Sequence, residues 1–83
     1  MQKKFTIRQA VAVFTGIDTY CRTVQVAYDN EGTAWQRFWR YDGYGLNPSR
    51  WAKDTLSPSL EKAIADGKVD WGFKTLSGGA VAA

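Results

Sequence analysis

The sequence predicts an α+β fold: an antiparallel sheet of three to four strands with two short helices on one face, in the order β-β-β-α-α-β. Three observations carry this reading. Alternating polar and apolar stretches flank a turn-forming tetrapeptide at residues 29–32. Asn47-Pro48 and Ser57-Pro58 each have the form of a helix start. A last alternating run, Val69, Trp71 and Phe73, completes the pattern. An amphipathic sheet must bury one face, and helices packed on that face are the α+β way of doing so.

The first element is Phe5–Phe14. From Ala10 onward it alternates as a strand does. It also fits a helix, with Ile7, Ala10, Val11 and Phe14 on one stripe and Thr6 and Gln9 spaced as a capping box. Its β-branched residues and the hairpin that follows favour a strand. Gly16–Thr19 then turns the chain into the next strand.

Arg22–Tyr28 and Thr33–Tyr41 form the hairpin. Asp29-Asn-Glu-Gly32 joins them, with turn formers at its start and glycine at its end. With these four residues as the loop, Tyr28 faces Thr33, Val26 faces Trp35 and Val24 faces Arg37. One face then carries Val24, Val26, Tyr28, Trp35, Trp39 and Tyr41. The other carries Thr23, Gln25, Ala27, Gln36, Phe38 and Arg40 and is wet. Asp42–Gly45 is a flexible loop with two glycines. Asn47-Pro48 starts a short helix with Trp51 and Leu56 as its inward candidates. Ser57-Pro58 starts another, with Leu60, Ala63 and Ile64 on its stripe and Gly67 at its end. Residues 1–76 make one compact unit. Ser77-Gly-Gly-Ala-Val-Ala-Ala83, rich in small residues, reads as a flexible tail.

The composition narrows the chemistry. The 83 residues include no histidine and one cysteine, Cys21. There is no imidazole base, no Ser-His or Cys-His pair and no common zinc ligand set. No phosphate-binding glycine loop is present. Asp42, Asp54, Asp66 and Asp70 are carboxylates without an acid–base arrangement in the sequence. The expectation is a non-enzymatic protein with no cofactor and no metal. Cys21 reads as a small packed residue, with a reactive thiol or an intermolecular disulfide as the alternatives. No apolar run is long enough for a membrane helix and no signal segment stands at the start. The expected setting is the cytoplasm, as monomer or homodimer, the latter through an unpaired sheet edge.

The best candidates for function are aromatic and basic. Trp35, Arg37, Phe38, Trp39, Arg40 and Tyr41 alternate along one strand, followed by Tyr44, Arg50 and Trp51. Trp, Tyr and Arg are the side chains most enriched where protein interfaces hold their energy. Phe38 and Arg40, on the wet face, with Arg37, Tyr44 and Arg50, are the expected contacts for a protein or nucleoprotein partner. Nucleic acid is the alternative, using the same residues plus Lys3, Lys4, Lys53, Lys62 and Lys74. The net charge of +3 and pI of about 9.2 lend that alternative modest support, because acids interrupt the bases. In size and in lacking catalytic motifs the chain resembles small phage-encoded inhibitors of host defence, anti-CRISPR proteins among them. That likeness implies action by docking, and no residue motif carries it.

Overall fold

The computed structural model describes residues 4–69 and 76–81. The fold is of the α+β class and is dominated by an antiparallel sheet of seven strands with one α-helix among the described residues. The strands are β1 (Ala12–Ile17), β2 (Thr23–Tyr28), β3 (Ala34–Tyr41), β4 (Leu46–Pro48), β5 (Ala52–Asp54), β6 (Lys68–Val69) and β7 (Leu76–Ala80). Helix α1 spans Leu60–Asp66. The sheet order is β4-β3-β2-β1-β7-β6, and β5 also pairs with β3.

The expected strand over Phe5–Phe14 resolves into two parts. Ile7–Gln9 is a 3-10 turn, and Gln9 Oε1 accepts the Thr6 N–H at 2.9 Å. β1 begins only at Ala12 and continues through Gly16 and Ile17, where a turn was expected. The turn is Asp18–Arg22, five residues, closed by Asp18 N–H to Arg22 O at 2.9 Å.

The hairpin forms, but one residue out of the expected register. Ala34, not Thr33, pairs with Tyr28, followed by Ala27 with Trp35, Val26 with Gln36 and Val24 with Phe38. Because side chains alternate, a slip of one exchanges the faces of the whole second strand. Val24, Val26 and Tyr28 therefore share a face with Ala34 and Phe38, while Trp35, Arg37, Trp39 and Tyr41 lie on the opposite one. The cause is Asp29. Its carboxylate Oδ1 accepts the Thr33 N–H at 2.9 Å while its own N–H donates to Thr33 O at 3.0 Å, which draws Thr33 into a five-residue loop.

Both faces of the sheet are partly covered. On one, Ala12, Phe14, Val24, Val26, Tyr28, Ala34, Ala63 and Val69 form the main core, with Val11, Phe38 and Leu60 packed at its margin. α1 supplies Ala63 and Leu60. Its first turn is capped by Ser59, whose Oγ accepts the Lys62 N–H, and Gly67 ends it at φ 65°. Ile64 and Leu56, both expected inward, are exposed. Fully buried Tyr28 ties the core to the loop before α1 by donating from its hydroxyl to Pro58 O at 2.6 Å. On the other face Phe5, Ala27 and Trp35 make a smaller buried cluster, flanked by Ala10, Val13 and Trp51. Phe5 stacks on Trp35 at 5.3 Å and meets Trp51 edge-on at 5.0 Å. Trp35 thus fills a core on the side away from the helix.

The expected helix after Asn47-Pro48 is absent. Leu46–Asp54 is instead an edge that runs antiparallel to β3 in two pieces. Gln36 pairs with Ala52 and Trp39 with Pro48, so Arg37 and Phe38 on β3 face Ser49, Arg50 and Trp51. Three residues against two is a β-bulge. Ser49 holds it, with its N–H donating to Phe38 O at 2.7 Å and its Oγ accepting the Phe38 N–H at 3.1 Å. Pro48 lacks an N–H and is tolerated because the strand is an edge.

Residues 77–80, read above as a tail, belong to β7 and pair with β1 from Ala12 to Thr15. Gly78 explains why the small residues are there. A Cβ at Gly78 would run into the Val13 carbonyl oxygen and lie 2.8 Å from Phe14 Cα. Of the expected last strand, Val69 is in β6; Trp71 and Phe73 lie outside the described residues. Among the described residues no helix is long and apolar enough to cross a membrane.

Candidate functional site

Strand direction decides which side chains meet. β1 and β3 end, and β2 and β4 begin, at the same end of the sheet. The Asp18–Arg22 and Asp42–Gly45 loops cap that end. Five large apolar side chains there face solvent: Ile17, Tyr20 (79% exposed), Tyr41 (74%), Tyr44 (99%) and Leu46 (66%). Tyr41 and Leu46 are direct partners across β3 and β4.

Carboxylates build the loops around them. Asp18 is fully buried. Its Oδ1 accepts the N–H groups of Tyr20 and Arg22 at 2.9 and 2.8 Å, and its Oδ2 accepts Arg22 Nε at 2.7 Å. Burial pushes its pKa up, but the Arg22 N–H, the Arg22 guanidinium and the Tyr20 N–H outweigh that, and the net direction is down. Asp29 repeats the device at the other end of β2. Its Oδ1 accepts from Glu31 and Thr33 N–H, both at 2.9 Å, and its Oδ2 from Trp35 Nε1 at 3.1 Å. In both loops the fourth residue has a left-handed backbone, Cys21 at φ 62° and Gly32 at φ 81°. Cys21 is exposed, not packed as expected.

Asp42 and Asp54 are employed in the same way. Asp42 Oδ1 accepts from the N–H groups of Tyr44 and Gly45, and Oδ2 from Asn47 Nδ2 at 2.6 Å. The expected flexible loop is therefore a held one, presenting Tyr44 at its tip. Asp54 accepts from Leu56 N–H and from the Ser57 hydroxyl. Asp66 pairs with Lys62 at 3.7 Å on the surface, and Asp70 lies outside the described residues. Among the described residues no group of three or more His, Cys, Asp or Glu side chains could hold a metal ion.

The five expected contact residues divide between the two faces. Phe38 is not on the wet face; it packs at the margin of the main core. There the Arg22 guanidinium lies 4.5 Å and the Arg40 guanidinium 5.0 Å from its ring centroid. Arg22 also lies 5.4 Å from the Tyr20 ring. Arg37 lies on the opposite face, with its guanidinium 4.8 Å from the Trp39 ring and 4.3 Å from the Trp51 ring. Tyr44 is on the loop between the strands. Arg50 is exposed in the bulge. The structure thus assembles one aromatic–arginine group on each face and joins them at the end that carries Tyr41, Tyr44 and Leu46. Tyr20, Arg22 and Leu46 carry no local signal of their place in this group, because it depends on the turn beginning at Asp18 and on Leu46 pairing with β3.

Compared with protein families, with curated proteins and with solved structures, the chain matches none.

Proposed function

We propose that this chain is a binding protein, not an enzyme, and that it docks the loop-capped end of its sheet onto a protein or nucleoprotein partner. One observation carries the reading: Ile17, Tyr20, Tyr41, Tyr44 and Leu46 are all exposed at the end of the sheet where β1 and β3 finish and β2 and β4 begin, with Tyr41 and Leu46 direct cross-strand partners. Apolar side chains clustered in water mark contact surfaces more often than single ones do. The mixture of Tyr, Leu and Arg has the character of an interface centre. Holding Asp18 and Asp42 in hydrogen bonds to their own loops fixes the shape of that end before any partner arrives, which reduces the entropy cost of binding. An inhibitor that blocks a partner's surface needs no chemistry beyond such a face. The size of the chain, like that of phage inhibitors of host defence, suits this role.

The nucleic-acid alternative uses the same stacked arginines. Lys53 stands on β5, which pairs with the start of β3, at the opposite end from Tyr41 and Leu46, and this favours a protein partner.

The test is capture of partners from a lysate of the source organism on immobilised protein, with and without nuclease. A Tyr41→Ala, Leu46→Ala double variant is compared with Leu56→Ala, an exposed apolar side chain elsewhere. Selective loss in the double variant, insensitive to nuclease, is expected. Equal capture by both variants overturns the site, and capture abolished by nuclease transfers the reading to nucleic acid.

A further inference from the structure

Arg37 is held in an unusual way for an arginine in mid-strand. Its guanidinium contacts two indoles, Trp39 and Trp51, at 4.8 and 4.3 Å. Its Nε donates to Gln25 Oε1 at 2.9 Å, and Gln25 Nε2 in turn donates to Thr15 Oγ1 at 3.3 Å. These residues are cross-strand neighbours, Thr15 opposite Gln25 and Gln25 opposite Arg37. The amide of Gln25 is thereby oriented from one side and orients the guanidinium on the other. A guanidinium carries five N–H donors in a planar fork, and Nε uses one. The side chain is half-buried, and no carboxylate among the described residues pairs with it. Burial lowers its pKa from the ordinary value, though an arginine stays charged. A partly desolvated cation without a counter-ion is costly, and ring faces offset only part of that cost.

We propose that Arg37 is a preformed receptor for a carboxylate, accepting an Asp or Glu side chain of the partner protein in bidentate fashion on its Nη edge between Trp39 and Trp51. The proposal rests on the protein-binding reading above and names the chemistry that this face recognises. The two indoles and Gln25 fix the plane of the fork, so the ordering normally required of an arginine is already done. A nucleic-acid backbone is the poorer fit. It presents successive phosphates and calls for successive cations, whereas the row Arg37, Gln25, Thr15, Ser77, Lys68 carries a cation only at each of its two ends, with three uncharged residues between them.

The experiment records side-chain Nε–H resonances of arginine and indole N–H resonances of tryptophan by NMR on the intact chain. The probe is a tetraglutamate peptide blocked at both ends; a single-stranded oligothymidylate is titrated separately. Saturable shifts of the Arg37 and Trp51 signals with the peptide are expected. Arg37→Lys should weaken peptide binding about fivefold or more, since an ammonium has no planar fork, while Arg8→Lys, on the exposed 3-10 turn before β1, should leave it unchanged. Circular dichroism of both variants checks the fold, and the wild-type shifts stand without any variant. No shift at Arg37, equal losses in the two variants, or tighter binding of oligothymidylate than peptide at Arg37 would each overturn the proposal. Should Arg37→Lys still capture the lysate partner that the Tyr41, Leu46 variant loses, the carboxylate receptor fails while the docking surface survives.

Discussion

Removal of the Asp29 carboxylate tests the architecture most directly. Asp29 is 3% exposed, and its carboxylate accepts from Glu31 N–H, Thr33 N–H and Trp35 Nε1. In Asp29→Ala the buried indole N–H is left without its acceptor, which costs about 1–3 kcal/mol. The two loop N–H groups can turn to water and lose about 0.5–1.5 kcal/mol each. The expected total is about 2–6 kcal/mol, a large part of the roughly 4–12 kcal/mol that a domain of this length possesses. Asp29→Asn separates the contributions. Its single amide oxygen can serve the loop or the indole, but its NH2 cannot accept from the other, so about half the loss should remain. The assay is urea unfolding followed by tryptophan fluorescence and by circular dichroism. A loss below about 1 kcal/mol for Asp29→Ala would refute the claim that this carboxylate sets the hairpin register.

Three further outcomes are expected. Gly78→Ala should detach β7 from β1 or destabilise the fold by about 3 kcal/mol or more, because its Cβ meets backbone that cannot yield; Gly79→Ala, with open space at its Cβ, should cost under about 1 kcal/mol, and thermal melts of the pair decide. Cys21→Gly should raise stability by about 0.5–1 kcal/mol by relieving the left-handed backbone, and Cys21→Val should lower it, as read from denaturant midpoints. Asp18 has a depressed folded pKa, so its contribution is complete above the unfolded value of about 4 and is lost as pH falls through the folded one. Stability measured from pH 6 down to pH 2 should therefore fall less steeply in Asp18→Asn than in the parent; parallel curves would show that the carboxylate is not the titrating group.

The α+β class and helix α1 were legible because their signals are local. Alternation marks β2 and β3, and Gly67 ends the helix through its backbone alone. What the sequence concealed involves partners far along the chain. Asp18 and Asp29 build the same loop, yet only Asp29 is followed by glycine at the left-handed position. Cys21 occupies that position in the other loop, so no glycine marks the turn there. At Asn47-Pro48 a proline that would open a helix instead sits on an edge strand, because β3 offers hydrogen bonds there. Gly78 and Gly79 have the composition of a linker, and only the approach of β1 shows why side chains are excluded. For the candidate site, the residue types were visible in advance. Their division between faces was not, since it depends on a one-residue register that Asp29 determines.

β7 lies beside β1 although more than sixty positions separate them in the chain. Until residues near 78 arrive, one flank of β1 has nothing to bond to. The sheet interior is therefore completed by a long-range closure and not by the hairpins that form first. Such closures slow folding, because the entropy of joining the ends is lost before the contacts reward it. A chain interrupted before residue 76 would lack an inner strand, not an ornament at the margin. It would expose the β1 flank as a ready template for another copy. Assembly of this sheet is thus gated by β7, and a fragment ending before it is an aggregation hazard, not a smaller working domain.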